Sequence, residues 1–265
     1  MRASALIRLA FLALLLAVAG CSRFGKKGDV TETLPLDQLY AQAKEALQHG
    51  NLGRAEHYYE RLIARFPFGP YTEQSQLELA YAQYKDRKEE EAYSTVNRFI
   101  KTYPTHKHVD YAYYLRGLIN FNRSSGLLER YIDRDQSKRD QGFSQQSFDD
   151  FAELVKRYPD SRYAADARQR MIFLRNNMAR AELNIALYYL RREAWVAALD
   201  RAKYCIENYD GAPSIREALA IQISAYDALG LKDLAAQSRS VYELNFSKQR
   251  PDMGAGRRKR WWKFW

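Results

Sequence analysis

The residue with the clearest chemistry in this sequence is Cys21, which follows the small residues Val-Ala-Gly at 18–20. Two arginines and an apolar run over residues 9–19 precede it, and this run has the length of a signal peptide but is too short to span a bilayer comfortably. The pattern is that of a bacterial lipobox, in which the cysteine sulfur takes a diacylglyceryl group. It predicts a signal peptide over residues 1–20 and lipidation of Cys21. The alternative is an ordinary signal peptide that happens to contain a cysteine.

The residues after Cys21 indicate where such a lipid would hold the protein. Three acyl chains retain a protein on a membrane where one does not, since each buried CH₂ contributes roughly 0.8 kcal/mol. Ser22 stands where lipoproteins of the inner membrane often have aspartate, which favours the outer membrane. Residues 21–36 are polar and contain two glycines and a proline, so we expect a flexible lipidated tether.

No other residues are spaced for catalysis or for binding a metal or cofactor. Glycine-rich phosphate loops, zinc-spaced cysteines and histidines, HExxH and GxSxG are absent from the sequence. Two of the four histidines, His106 and His108, follow Pro104 in a predicted turn, where exposure to solvent is favoured over metal binding. Cys205 falls on a predicted buried helical stripe and is expected to be a core residue. We therefore expect a non-enzymatic binding scaffold without a cofactor.

The net charge of +10 does not indicate a nucleic-acid partner. Residues 1–20 carry two of the positive charges and residues 257–265 carry five, which leaves the rest of the chain at +3. A nearly balanced body is not typical of a DNA-binding face.

The elements that must carry any binding site are helical hairpins. Residues 39–67 contain two runs of helix formers around a break at Gly50, with apolar or small residues three and four apart. Their landmarks match the repeat template of roughly 34 residues and resemble a tetratricopeptide (TPR) unit. The landmarks are Leu39, Ala43, Gly50, Ala55 and Pro67.

An aromatic residue, followed in three cases by proline, recurs at the expected end of each unit. Proline ends a helix because it lacks the N–H and clashes with the preceding turn. The pairs are Phe66-Pro67, Tyr103-Pro104, Tyr158-Pro159 and Tyr209-Asp210. The sequence therefore predicts an all-α protein, a right-handed α-solenoid of about five TPR-like hairpins.

One predicted helix is much longer than the others. Apolar residues recur at steps of three and four without a break from Tyr163 to Arg192, which predicts a connecting helix. We expect it to join an amino-terminal group of repeats, residues 37–161, to a carboxy-terminal group, residues 162–248. Residues 123–146 read as an insertion in the first group, with buried-looking apolar residues that favour a packed loop.

Arrays of this kind usually bind extended peptides on the concave surface, which the first helix of each unit lines. Aromatic residues dominate the positions expected to face this groove and suit a ligand rich in aromatic side chains. The alternative is that several of them only pack between adjacent hairpins. The candidates are Tyr40, Phe66, Tyr71, Tyr81, Tyr84, Tyr111 and Tyr114.

The tail, residues 249–265, ends in RRKRWWKFW. Aromatics interleaved with cations suit the interface of an acidic membrane, and they would also serve as an anchor for a partner. A tail without a role is the third interpretation.

Five local segments together with the lipobox resemble the BamD family, the lipoproteins of the β-barrel assembly (BAM) complex. The resemblance covers nearly all of the predicted mature chain up to about Phe246, and the tail lies outside it. The segments are RFPFGPY (65–71), YPTHKHVDYAYYLRGL (103–118), DRDQSKRDQ (133–141), YPDSRYAADA (158–167) and AWVAALDR (194–201).

The resemblance implies a scaffold that faces the periplasm and is lipid-anchored at the outer membrane. Its carboxy-terminal repeats would dock a POTRA domain of the BamA-like barrel insertase, with Arg201 and the nearby Trp195 at that contact. Its amino-terminal repeats would meet unfolded outer-membrane protein precursors, and other BAM lipoproteins would be further partners. From the residues alone, Arg201 is equally well explained as a solvated cation. A TPR scaffold for peptidoglycan or envelope organisation is the alternative function.

Overall fold

The computed structural model describes residues 30–124 and 141–246. Within these ranges the chain forms a short 3₁₀ turn, Val30–Glu32, and ten α-helices without any strand, so the all-α prediction is confirmed. The helices are α1 (Leu36–Gln48), α2 (Leu52–Arg65), α3 (Pro70–Lys85), α4 (Glu89–Thr102), α5 (Val109–Ser124), α6 (Gly142–Arg157), α7 (Ala164–Leu190), α8 (Trp195–Asn208), α9 (Ile215–Ala228) and α10 (Lys232–Phe246).

Four of the helix pairs are joined by the same tight turn. A residue in the left-handed region ends the first helix, and the next N–H bonds to the carbonyl five residues before it, as in a Schellman motif. Gly50, with φ of 73°, provides this turn between α1 and α2, but Arg87 and Glu193 adopt it at 62° and 58°. The bonds run from Asn51 to Ala46, Lys88 to Gln83, Ala194 to Tyr189 and Leu231 to Tyr226.

The second helix of each of the first four pairs ends on the predicted aromatic residue. The cap residues of α2, α4, α6 and α8 all have φ between −127° and −132°, and each N–H bonds to the carbonyl four residues before it. Proline pushes the residue before it out of the helical region, which explains the first three caps. The predicted repeat ends at Phe66, Tyr103, Tyr158 and Tyr209 are confirmed.

The chain divides into two compact units, the first ending at Ala82 and the second beginning at Gln83. In unit 1, α1 and α2 pack through the stripe that the sequence predicts, with Leu39, Ala43, Tyr59 and Leu62 fully buried. The predicted boundary between repeat groups at residues 161 and 162 stays a prediction.

Two arginines of α2 hold the segment that precedes α1. Arg65 donates through Nη1 to the carbonyl of Leu34 at 2.9 Å and to that of Thr31, and Thr31 is buried. Arg61 pairs with Glu32 at 3.0 Å. The described chain therefore starts as a fixed part of the first hairpin.

In unit 2 each helix from α4 to α10 packs against the next one in the sequence, and α9 also contacts α7. Gly117 of α5 allows a close approach of α6, because a Cβ there would lie 2.5 Å from the Phe151 ring. The long helix α7 has 27 residues and, at 1.5 Å per residue, is roughly 40 Å long, which confirms the predicted connecting helix.

The predicted insertion at residues 123–146 is helical at both ends, since α5 runs to Ser124 and α6 begins at Gly142. The guanidinium of Arg123 lies 5.3 Å from the Phe143 ring, so the two ends of the insertion are neighbours. Residues 125–140, on which the prediction of a packed loop depends, lie outside the described residues.

Candidate binding surfaces

Two of the predicted groove residues meet in unit 1. Tyr40 of α1 and Tyr71 of α3 have their ring centroids 5.1 Å apart in an edge-on arrangement. Tyr40 is partly exposed and Tyr71 is 42% exposed. The first turn of α3 thus presents an aromatic edge beside α1.

Beneath this edge lies a carboxylate that sequence reasoning missed. The Tyr40 hydroxyl donates to Glu78 Oε1 at 3.1 Å, and the Tyr59 hydroxyl donates to Glu78 Oε2 at 2.7 Å. The side-chain amide of Gln74 donates to Oε1 at 2.9 Å. Glu78 thereby connects all three helices of unit 1. The spacing of Gln74 and Glu78 by one turn was the only signal in the sequence.

We call these residues the Glu78 cluster (Tyr40, Tyr59, Tyr71, Gln74 and Glu78). The two tyrosines that donate to Glu78, Tyr40 and Tyr59, stay protonated under ordinary conditions. Burial raises the pKa of Tyr40 and of Tyr59 above the usual value, and the charge of Glu78 raises both further. Both hydroxyls therefore remain hydrogen-bond donors at neutral pH.

Phe66 and Phe68 have opposite environments. Phe66 caps α2, packs partly buried against the core of unit 1 and lies under the Arg65 guanidinium at 5.0 Å. Phe68, two residues later, is 89% exposed. Phe66 thus packs on the core of unit 1, and the exposed aromatic of this turn is Phe68. Tyr81, further along α3, is partly exposed.

A second aromatic cluster lies in unit 2. Tyr114 of α5 stacks on Tyr163 with centroids 4.8 Å apart and an interplanar angle of 17°, and Tyr111 contacts the same ring at 5.3 Å. The Tyr114 hydroxyl donates to Asp166 Oδ2 at 2.6 Å. Sequence reasoning gave Tyr163 only a place on the stripe of the long helix. Tyr84, also partly exposed, accepts a hydrogen bond from the Asn122 side chain at 3.0 Å.

In this second cluster the carboxylate has a cation. Arg170 Nε lies 2.6 Å from Asp166 Oδ2, one turn further along α7. Burial opposes ionisation of Asp166, but the Tyr114 hydroxyl and Arg170 lower its pKa below the usual value. Burial, reinforced by the bond to Asp166, raises the pKa of Tyr114 to about 12.

A more deeply buried ionic network joins α5 to α6. Arg116 Nε lies 2.6 Å from Asp150 Oδ1, and the two side chains are only 12% and 10% exposed. Arg116 also pairs with Glu153 at 2.5 Å, and Asn120 donates to Asp150 Oδ2 at 2.7 Å. This arrangement satisfies a buried charge and fixes the two helices together.

The predicted partner contact lies on α8. The Arg201 side chain is 42% exposed, and its Nη1 lies 3.3 Å from Glu182 Oε2 of α7. Trp195 begins α8 and is partly buried against the core of unit 2. Val196, next to it, is strongly exposed. Arg201 is thus a half-exposed cation whose present partner, Glu182, no sequence pattern revealed.

Cys205 is a core residue, as predicted. It is fully buried, its Sγ lies 3.5 Å from the carbonyl oxygen of Ala179, and burial raises the pKa of its thiol to about 12. A thiol in this state is neither a nucleophile nor a metal ligand at neutral pH.

Across residues 30–124 and 141–246 there is no group of acidic, cysteine and histidine side chains arranged to hold a metal ion. None of the helices in these two ranges is long and apolar enough to cross a membrane. The predicted lipidation site Cys21 and the tail at 249–265 lie outside the described residues.

The family model described as "YfiO: Outer membrane lipoprotein" matches residues 33–241. An outer membrane protein assembly factor BamD from Xylella fastidiosa is 46% identical over 88% of this chain and 80% of its own. The chain belongs to the BamD family. The factors of the same name from Neisseria meningitidis serogroup A and Vibrio cholerae are 39% and 38% identical, over 94% and 85% of this chain and 96% and 92% of theirs.

A solved tetratricopeptide repeat protein from Parabacteroides merdae is 13% identical over 82% of this chain and 80% of its own, with a TM-score of 0.38. The BamD family match includes both aromatic clusters, Trp195 and Arg201, but neither Cys21 nor the tail. Membership in this family of assembly factors makes the chain a non-enzymatic scaffold.

Proposed function

We propose that this protein assists the assembly of outer-membrane β-barrels by binding other polypeptides, with unit 1 receiving precursors and α8 docking the insertase. Membership in the BamD family assigns the chain to outer membrane protein assembly and to the outer membrane. The identities of the bound segments and the residues that bind them are the parts that we propose.

The Glu78 cluster carries the proposal for precursor binding. Tyr71 and Phe68 expose aromatic surface on unit 1, and Tyr40 is held beside Tyr71 by its bond to Glu78. A rigid, partly exposed aromatic edge suits the aromatic side chains of the carboxy-terminal signal of a precursor. The structure supports Tyr71 more strongly than Tyr114 as a first contact, because the Tyr114 ring is stacked and its hydroxyl is occupied.

Site-specific photocrosslinking tests this assignment. A photoreactive amino acid at position 71 should capture a precursor peptide that ends in an aromatic residue. Tyr204 of α8, 44% exposed and outside the predicted groove, is the matched control for Tyr71 at 42%. Equal capture at positions 71 and 204 would contradict the proposed precursor site.

Arg201 carries the proposal for the insertase. Its guanidinium is half exposed and held by one carboxylate at 3.3 Å, so an acidic residue of a POTRA domain can replace Glu182 as its partner. The exposed side chain of Val196 and the partly buried Trp195 provide apolar surface on the same helix.

A pull-down of the full-length lipidated protein tests this contact. Arg201→Glu should reduce recovery of the POTRA-bearing barrel protein more than Arg201→Ala does, because it adds repulsion to the loss of the pair. Arg61→Ala in unit 1 is the control, since Arg61 is 43% exposed and also holds one carboxylate. Undiminished recovery with Arg201→Glu would exclude this residue from the interface.

We further propose that Cys21 carries the lipid that holds the protein on the periplasmic face of the outer membrane. Mass spectrometry of the mature amino terminus should find an acylated cysteine, and Cys21→Ala should release the protein from the membrane fraction. An unmodified Cys21 in the mature protein would overturn the anchoring mode without affecting either binding surface. Other BAM lipoproteins are the further partners that we expect in the same pull-down.

A further inference from the structure

The carboxylate of Glu78 is unusual because only neutral groups bind it. Its partners are two tyrosine hydroxyls and one side-chain amide. No cationic side chain within the described ranges forms an ion pair with it, in contrast to Asp166, Asp150 and Glu153 of unit 2. No cation of the described ranges therefore compensates the carboxylate of the Glu78 cluster.

The cluster also keeps room for a further donor. An ionised carboxylate has about four acceptor positions, two on each oxygen. Oε1 accepts from Tyr40 and Gln74, while Oε2 accepts from Tyr59 alone. Glu78 is partly exposed, so its carboxylate retains an acceptor position that no described donor fills.

The aromatic rings beside Glu78 likewise have no cation of the described ranges over them. Elsewhere in the described chain, arginines lie over tyrosine rings, such as Arg54 over Tyr58 at 5.2 Å and Arg162 over Tyr163 at 4.7 Å. Within the described ranges no arginine or lysine lies over Tyr40 or Tyr71. A cation that lies near both an aromatic face and a carboxylate is attracted to each of them.

We propose that Tyr40, Tyr71 and Glu78 form a subsite for one basic side chain, an arginine or lysine, of the extended polypeptide bound to unit 1. The inference rests on the proposed function, since it names the chemistry of one residue in the bound precursor segment. The guanidinium or ammonium group donates to the Glu78 carboxylate and lies against the Tyr71 ring. Neighbouring aromatic residues of the same polypeptide contact the remaining aromatic surface.

A pair of labelled peptides tests the subsite against the full-length protein in detergent. Both peptides carry alternating aromatic residues and an aromatic end, and they differ only in one central position, arginine or its neutral isostere citrulline. Fluorescence anisotropy should show roughly tenfold tighter binding of the arginine peptide to the wild type. With Glu78→Gln the preference should fall to about twofold, the part that the Tyr71 ring contributes. Glu45→Gln on the exposed side of α1 removes the same charge and should leave the tenfold preference intact.

A second variant covers the case in which Glu78→Gln unfolds unit 1. Tyr71→Leu leaves the hydrogen bonds of Glu78 in place and should reduce the preference for arginine while the circular dichroism stays unchanged. Equal binding of both peptides to the wild type would overturn the subsite and leave the proposed function standing. Failure of both peptides to bind the wild type would overturn precursor binding by unit 1, and the subsite with it.

Discussion

The two units each contain a carboxylate that accepts a tyrosine hydroxyl, and they compensate its charge differently. In unit 1, Glu78 binds Tyr40, Tyr59 and Gln74, all of them neutral. In unit 2, Asp166 binds Tyr114 and the Arg170 guanidinium. We call the tyrosine–carboxylate arrangement of unit 2 closed, because a cation pairs with its carboxylate, and that of unit 1 open, because its described partners are all neutral.

The difference separates packing from recognition. A carboxylate with its own arginine has little to gain from an external cation, whereas one held by neutral donors attracts a charged partner. Unit 2 repeats the closed arrangement at Asp150, which has Arg116 as its partner. We infer that aromatic–acidic clusters of unit 2 mainly join helices, and that the cluster of unit 1 also serves a ligand.

The largest effect is expected at the closed network of α5 and α6. Arg116→Ala would leave Asp150 buried without a cation and should lower the free energy of unfolding by roughly 3 kcal/mol. Urea denaturation followed by circular dichroism measures it. Arg157→Ala, whose side chain is 56% exposed in its pair with Glu153, should cost less than about 0.5 kcal/mol. A loss no larger for Arg116→Ala than for Arg157→Ala would remove the basis of the comparison.

Deleting one hydroxyl in each unit tests the open and closed clusters directly. Tyr59→Phe removes a buried donor from Glu78, which has no cation to replace it, and should cost roughly 2 kcal/mol. Tyr114→Phe leaves Asp166 with Arg170 and should cost less than about 1 kcal/mol. Thermal unfolding of the two variants shows which of them is destabilised more. If Tyr114→Phe proves the more damaging, the cation of unit 2 does not compensate as we describe.

The turns between helices provide a smaller test. Arg87 holds a left-handed conformation that Gly50 holds in unit 1 at no steric cost. Arg87→Gly should therefore raise the free energy of unfolding by roughly 0.5 to 1 kcal/mol, and Gly50→Ala should lower it by about 1 kcal/mol. Chemical denaturation of both variants checks the opposite signs. If Arg87→Gly instead lowers the free energy of unfolding, the contacts of the arginine side chain stabilise the fold by more than the left-handed conformation destabilises it.

The smallest effect concerns acid sensitivity. The pKa of Asp166 is lowered in the folded protein, so this carboxylate stabilises the fold above its unfolded pKa of about 3.9 and loses that contribution as the pH falls through the folded value. Because its side chain is half exposed, the contribution should be below about 0.5 kcal/mol. Asp166→Asn should show a shallower loss of stability between neutral pH and pH 3 than the wild type. An unchanged acid profile would indicate that Arg170 does not stabilise the ionised form.

Local rules in the sequence predicted the elements but not their polar contacts. The aromatic residues before Pro67, Pro104 and Pro159 predicted where helices end, and the apolar spacing predicted α7, because both signals act within one helix. The partners of Glu78 and of Arg201 come from different helices, and helical periodicity does not specify which polar side chains of two packed helices meet. Phe66 and Phe68 illustrate the same limit, since two residues of one type in one turn differ in burial through tertiary packing alone.

The arginine contacts at the start of the described chain limit how far α2 can hold the chain from a lipid on Cys21. Because Arg65 and Arg61 fix Thr31 and Glu32 against α2, only the residues from Cys21 to Val30 can span the gap to a lipid on Cys21. Nine peptide steps reach at most roughly 30 Å in any conformation. An acylated Cys21 would therefore keep Thr31 and Glu32, the point at which α2 holds the chain, within that distance of the bilayer surface.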